Sequence, residues 1–234
     1  FAAQWKLAIP VYELILEKNP GNSLCLNRLG FSYQNTSQFQ KALNSYSNSL
    51  LYQPAPQLKM VVQSRMARVY ALLGDRARAF MWLDSAVHNG YGNLRELDSL
   101  DDYSSLRQQS QFKNLYADAY KIAYPCMSDQ NSRQFDFWVG DWNVFQNGNA
   151  NTIVGKSKVE IASGGCMILE NWTSLVGSHN GKSMNYYDPL KGNWEQLWIG
   201  SEGGPQVVHH FINGHYKDGT MRFEFSGSDA RGNS

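Results

Sequence analysis

The sequence predicts a two-domain α+β protein, with paired helices in the first half and an antiparallel sheet in the second. Two observations support this fold class. Residues recur at a 34-residue period and at helical spacing up to about residue 124, whereas short alternating runs separated by turn signals fill the rest. We therefore expect a helical domain at 1–124, a polar linker at 125–132 and a β-domain at 133–234.

The bulk composition excludes some classes of protein. The 234 residues are 42% hydrophobic, which is enough for two cores, and the formal net charge of +1 gives no basic stripe of the kind that nucleic-acid binders carry. No apolar run approaches the ~20 residues of a membrane span. The chain begins with Phe, so both a removed leader and a fragment stay open.

The 34-residue repeat aligns the segment WKLAIPVYELILEKNP with FQKALNSYSNSLLYQP. The matched pairs are Ala8 with Ala42, Tyr12 with Tyr46, and Pro20 with Pro54. Small residues let two antiparallel helices cross closely, and a proline ends the second helix. The unit over 26–54 resembles the tetratricopeptide repeat, with Leu26 where that family prefers Trp. We expect a third unit over 67–86 and one or two capping helices over 90–124.

This resemblance implies an α-solenoid whose concave surface engages a protein or peptide partner. The predicted partner-binding residues are Asn27, Phe31, Gln34, Arg65 and Arg68. The alternatives are a solvated face that touches nothing and a face that packs on the second domain. The aspartates of DSLDDYSSLRQQSQF are predicted to cap helix starts rather than to bind metal.

The second half predicts a seven-strand meander that closes toward a barrel. The predicted strands are DWNVFQ, GKSKVEIAS, CMILENWTSL, KSMNYYDPL, NWEQLWIG, QVVHHFING and TMRFEFSG. Closed barrels of this type normally use eight strands or more. We therefore expect the barrel to be incomplete in this chain, with its final strands missing, disordered or supplied otherwise.

An aromatic stretch, FDFWVGDWNVF, precedes and opens the first strand. Asp136 is predicted to cap a short turn that carries Phe137 and Trp138. The triplet that ends in Trp142 resembles the G-x-W of lipocalins. Together with GGCMILENWT and NYYDPLKGNWEQLWI, it makes residues 134–227 similar to lipocalin-like, calycin-like domains and distantly to the haem-binding nitrobindins. The resemblance implies a barrel whose base Trp142 plugs.

Strand alternation assigns side chains to two faces of the sheet, and one set combines aromatic planes with amides and hydroxyls. Small-molecule pockets have that character, although the same side chains would also fill a solid core. The predicted ligand-binding residues are Trp142, Glu170, Trp172, Ser183, Asn185, Tyr187, Gln196, Trp198 and His209.

The sequence thus predicts a non-enzymatic binding or scaffold protein that holds a small apolar or amphipathic ligand and uses no cofactor. One alternative is an enzyme centred on Glu170, Asn185, Tyr187 or His209, in which Glu170 acts with His209 or Asp188 in acid–base chemistry. A second is a haem site with His209 as the ligand. No nucleophile elbow, phosphate loop or zinc motif is present.

Three cysteines carry information about pairing. Cys25, Cys126 and Cys166 form no CxxC motif. A disulfide between Cys126 and Cys166 is one possibility, but the odd count favours three unpaired thiols. The abundance of Tyr, Asn and Ser is compatible with a periplasmic or secreted protein.

Overall fold

The computed structural model describes residues 2–201 and 208–225, and the chain forms two compact units, Phe1–Ala123 and Tyr124–Ser234. The first unit is helical and the second is dominated by one antiparallel sheet. The predicted order, helices followed by a curled antiparallel sheet, is confirmed.

Seven α-helices build the helical unit. They are α1 Ala2–Lys18, α2 Ser23–Gln34, α3 Phe39–Leu51, α4 Pro56–Leu72, α5 Arg76–His88, α6 Leu94–Ser99 and α7 Ser110–Ala123. The predicted stop signals act where expected, because Pro54 follows α3 and Gly74, at a φ of 76°, lies between α4 and α5. None of the described helices is both long and apolar enough to cross a membrane.

The crossing of α2 and α3 depends on one glycine. A Cβ atom placed on Gly30 would lie only 2.6 Å from a ring carbon of Tyr46, so a larger residue would push the helices apart. Tyr46 is fully buried and donates its hydroxyl hydrogen to Oε1 of Gln34 at 2.8 Å. Its ring packs in a cluster with Val62 and Met66 of α4, so the recurring small and aromatic residues do form a helix interface.

The β-unit begins with helix α8, Pro125–Ser128, and two 3-10 turns, Asn131–Arg133 and Asp136–Trp138, so the predicted linker contains ordered structure. Seven strands follow: β1 Gly140–Gln146, β2 Asn149–Ala162, β3 Met167–Ser174, β4 Asn180–Asp188, β5 Asn193–Gly200, β6 Val208–Lys217 and β7 Thr220–Phe225. Each strand pairs antiparallel with the next, and the described strands form a curled half-barrel with β1 and β7 at its edges.

The aromatic stretch before β1 packs differently from the prediction. Phe135 is only 7% exposed, stacks on Trp138 at 5.0 Å and meets the buried Trp194 edge-on at 5.6 Å. Trp142 is 45% exposed, so among the described residues it does not fill the core as the predicted plug would. It lies on the edge strand β1, where its Nε1 donates to the backbone oxygen of Trp138 at 2.7 Å and holds the indole outside the core.

The turn that carries Phe137 and Trp138 exists, but Asp136 does not cap it. The turn starts at Asp136 itself, and no side chain caps it. One carboxylate oxygen of Asp136 is buried, accepts no hydrogen bond and lies 3.5 Å from the Arg133 guanidinium. Burial raises the pKa of Asp136, and Arg133 opposes this shift.

Cys126 and Cys166 form a disulfide, so the prediction of three unpaired thiols was wrong for these two. The bond joins α8 to a 3-10 turn, Ser163–Gly165, between β2 and β3, with the two Cα atoms 4.9 Å apart. Gly164 and Gly165 take positive φ values of 64° and 91°, which turn the chain back toward α8. The spacing of the cysteines in the sequence does not predict such a turn.

Candidate functional site

All nine predicted ligand-binding residues lie on one face of the sheet. Directly paired residues of neighbouring strands share a face. One ladder row joins Glu170, Ser183, Trp198 and His209 across β3, β4, β5 and β6. Other rows on this face join Trp142 to Ser157 and Trp172, Asn185 to Gln196, and Tyr187 to Trp194. We call this the inner face, because the buried core residues Val159, Ile168 and Trp194 also lie on it.

A polar network centred on Glu170 occupies the middle of the inner face. Ser157 donates to Oε1 of Glu170 at 2.6 Å, and Ser183 donates to Oε2 at 2.9 Å. The Nδ2 of Asn185 donates to the Ser183 hydroxyl at 3.0 Å and to the backbone oxygen of Ile168 at 3.1 Å. The two serine hydroxyls donate to the carboxylate, and Asn185 donates to one of these hydroxyls. Each carboxylate oxygen has one hydroxyl donor and can accept a further hydrogen bond.

Two buried polar atoms on the same face lack partners. Asn185 is 0% exposed, and its Oδ1 accepts no hydrogen bond in the part of the chain that the structure describes. Trp194 is 1% exposed, and its Nε1 likewise donates to none there. An unsatisfied buried polar group costs about 1–3 kcal/mol, so such groups normally pair with water or a ligand.

Aromatic side chains stand on both sides of this polar network. Trp172 and Trp198 contact each other edge-on with ring centroids 6.2 Å apart. Phe225 packs against His209 at 5.6 Å and against Phe211 at 5.4 Å. All except the exposed Phe225 are partly buried. An accessible apolar surface with a few convergent polar groups is typical of a small-molecule site.

Charge is distributed unequally over the two faces. On the inner face of the described strands, Glu170 is the only side chain among the Asp, Glu, Lys and Arg residues. The opposite face carries charges of both signs, including Lys156, Lys158 and Glu160. The inner face therefore carries uncharged polar and aromatic groups around a single carboxylate.

The acid–base pairs considered from the sequence do not form hydrogen bonds. Ser183 and Trp198 lie between Glu170 and His209 in their ladder row. Asp188 follows Tyr187 on β4 and therefore lies on the opposite face of the sheet. Its carboxylate accepts hydrogen bonds from two backbone N–H groups of the following turn. Across the described residues, no group of three or more His, Cys, Asp or Glu side chains could hold a metal ion.

The five predicted partner-binding residues also gather, within the helical unit. Arg65 donates to Oδ1 of Asn27 at 2.9 Å, and its guanidinium lies 4.1 Å from the ring centre of Phe31. The other side of Phe31 meets Trp5 edge-on at 5.1 Å. Burial lowers the pKa of Arg65, and the neighbouring Arg68 adds to this shift. Asn27 and Arg65 bond to each other, and Gln34 and Arg68 bond to residues outside the predicted set.

Asp102 completes this cluster and corrects a sequence prediction. Its carboxylate accepts from Arg68 Nε at 2.6 Å and from Gln34 Nε2 at 3.1 Å, so it joins α2 and α4 instead of capping a helix. The 3-10 turn that contains Asp102 has no side-chain cap. From the sequence alone, an aspartate at a short turn is predicted to be a helix cap, because the sequence does not show which distant basic residue it will contact.

Sequence reasoning missed a buried carboxylate, Glu195, on the opposite face of the sheet. Glu195 is 3% exposed. Its carboxylate accepts hydrogen bonds from the Tyr186 hydroxyl at 2.7 Å and from Lys191, and it lies 3.0 Å from Nε2 of His210. Lys191, Tyr186 and His210 together lower the pKa of Glu195 to about 2, against the opposing effect of burial. Both carboxylate oxygens of Glu195 are bonded by these side chains, which indicates a structural role.

The substitution Glu195→Gln is expected to destabilise the β-unit near neutral pH by up to about 3 kcal/mol. Because folding lowers this pKa from 4.5 to about 2, the carboxylate stabilises the fold fully above pH 4.5 and loses that effect as the pH falls toward 2. Urea unfolding at several pH values measures this. The difference between wild type and Glu195→Gln should shrink below pH 4.5, whereas Glu160→Gln, at a more exposed carboxylate, should differ little at any pH. A pH-independent difference would contradict the assignment.

Searched against models of known protein families and against curated proteins, the chain matches none. The inner face is therefore interpreted from its own chemistry.

Proposed function

We propose that this chain is a non-enzymatic binding protein whose β-unit holds a small amphipathic ligand on the inner face. The observation that carries the proposal is that the ladder register brings nine aromatic, amide, hydroxyl and carboxylate residues onto one face. Binding is favoured over catalysis because, among the described residues, Glu170 forms no hydrogen bond with His209 or Asp188. Its partners there are the hydroxyls of two serines.

The half-barrel and its aromatic stretch support a lipocalin-like assignment for the β-unit. In lipocalin-like folds the interior of the curled sheet is the natural ligand site. The departure lies in the aromatic stretch, where Phe135 packs in the core and Trp142 is exposed.

We propose that the paired helices α1 to α5 are tetratricopeptide-type units that engage a protein or peptide partner. The support is the close crossing at Gly30 and the cluster formed by Asn27, Phe31 and Arg65. Among the described residues, Arg65 donates one hydrogen bond to Asn27, and its guanidinium lies over the Phe31 ring. Its other N–H groups would donate to a partner's carboxylate or carbonyl oxygen.

Binding to the inner face is testable with N-phenyl-1-naphthylamine, an uncharged dye whose emission rises in apolar surroundings. The full chain should bind the dye saturably, with quenching of Trp emission. Trp198→Ala should weaken binding at least fivefold because it removes an aromatic wall next to Trp172.

The matched control is Met184→Ala. Met184 lies on β4 between Ser183 and Asn185 but points to the opposite face, where it pairs with Leu197. This variant should leave the dye affinity unchanged. Absence of saturable binding, or equal weakening by Met184→Ala and Trp198→Ala, would contradict the proposal.

A further inference from the structure

We infer that the ligand of the inner face carries a cationic, nitrogen-bearing head group, such as an alkylammonium, attached to an apolar tail or ring. This inference rests on the proposed function of the inner face and names the chemical class that the site selects. Three features of the described residues support it: charge, hydrogen-bonding polarity and the placement of the indoles.

The charge argument starts from Glu170. On the inner face of the described strands no lysine or arginine accompanies it, and the residues around it are hydroxyl, amide and aromatic groups. A carboxylate in apolar surroundings interacts more strongly with an opposite charge than it would in water. A cation brought by a ligand would supply the counter-charge that the protein omits, and an anion would meet repulsion.

The hydrogen-bonding argument concerns which atoms remain free. The hydroxyl hydrogens of Ser157 and Ser183 are both used on Glu170, and the Nδ2 of Asn185 is used on Ser183 and Ile168. Within the network itself only acceptor capacity remains, namely the carboxylate oxygens and the buried Oδ1 of Asn185. The unpartnered donor of the same face, Nε1 of Trp194, lies outside the network, in the ladder row of Tyr187. An ammonium group offers three donors and no acceptor, so it is complementary to such a set.

The indoles provide the third argument. Trp172 follows Glu170 by two residues on β3 and therefore stands beside it on the same face. Trp198 occupies the ladder row of Glu170, two strands away, and contacts Trp172. The faces of aromatic rings attract cations, and indole does so most strongly. A carboxylate with one indole beside it and a second indole in contact with the first favours a cation over a neutral polar group.

The test compares three ligands with the same tail: octylamine, 1-octanol and octanoate, which near neutral pH are cationic, neutral and anionic. Each is titrated against the full chain loaded with N-phenyl-1-naphthylamine, below its micelle concentration. Octylamine should displace the dye at a concentration at least tenfold lower than 1-octanol, and octanoate should displace it least. Glu170→Gln should bring octylamine to the level of 1-octanol.

The control is Glu160→Gln, which removes the same unit of charge from the opposite face and should preserve the preference for octylamine. If the three ligands displace the dye equally, or if Glu160→Gln abolishes the preference as Glu170→Gln does, the inference is overturned while the proposed function stands. If neither the dye nor any of the three ligands binds, the proposed function fails as well.

Discussion

Loss of the Cys126–Cys166 disulfide is expected to lower the free energy of unfolding of the β-unit by about 4 kcal/mol. The two cysteines are separated by 40 residues in sequence, so the bond closes a long loop that contains β1, β2 and the aromatic stretch before them. In the unfolded chain that closure removes many conformations, and stabilisation of this kind increases with loop length.

Chemical denaturation of the double variant Cys126→Ser/Cys166→Ser measures this loss, and a reductant should produce the same shift in the wild type. Cys25→Ala is the control, because Cys25 is the buried free cysteine of the helical unit. It should leave the reductant effect intact. A reductant effect that persists in the double variant, or is absent in the wild type, would contradict the assignment.

Trp194→Ala is expected to destabilise the β-unit by roughly 3–5 kcal/mol, the usual cost of emptying a buried aromatic site. Trp194 packs against Phe135 and Tyr187. Its Cβ would lie only 2.7 Å from a Cβ atom placed on Gly214. Trp142→Ala should cost less than about 1 kcal/mol, because that indole is nearly half exposed.

This pair of variants decides which residue belongs to the core of the half-barrel, and urea unfolding followed by far-ultraviolet circular dichroism measures both. The order of stability should be wild type, then Trp142→Ala close to it, then Trp194→Ala far below. If Trp142→Ala were the more damaging substitution, the G-x-W residue would be the plug after all.

The sequence predicted local features well where local physics decides them. Pro54 and Gly74 lie at helix ends, and alternation predicted the seven strands. The face of each strand residue also follows from alternation, and the register puts Glu170 and Trp198 in one ladder row. Neighbouring strands with short connections pair in sequence order, so the turns largely determine the register of a meander.

Features that depend on distant partners were not predicted. Asp102 was read as a cap because its partner Arg68 lies 34 residues earlier in the chain. Glu195 gave no signal because its burial comes from Tyr186, Lys191 and His210, which surround it only in the folded sheet.

The central claim is that the inner face of the β-unit is a ligand site, and the seven indole N–H signals of the chain test it most directly. In a nuclear magnetic resonance titration with octylamine, the signals of Trp172 and Trp198 should shift saturably. Those of Trp5 and Trp82, which belong to the helical unit, should stay fixed. Shifts confined to Trp5 and Trp82, or no shift in any indole at saturating ligand, would contradict the claim.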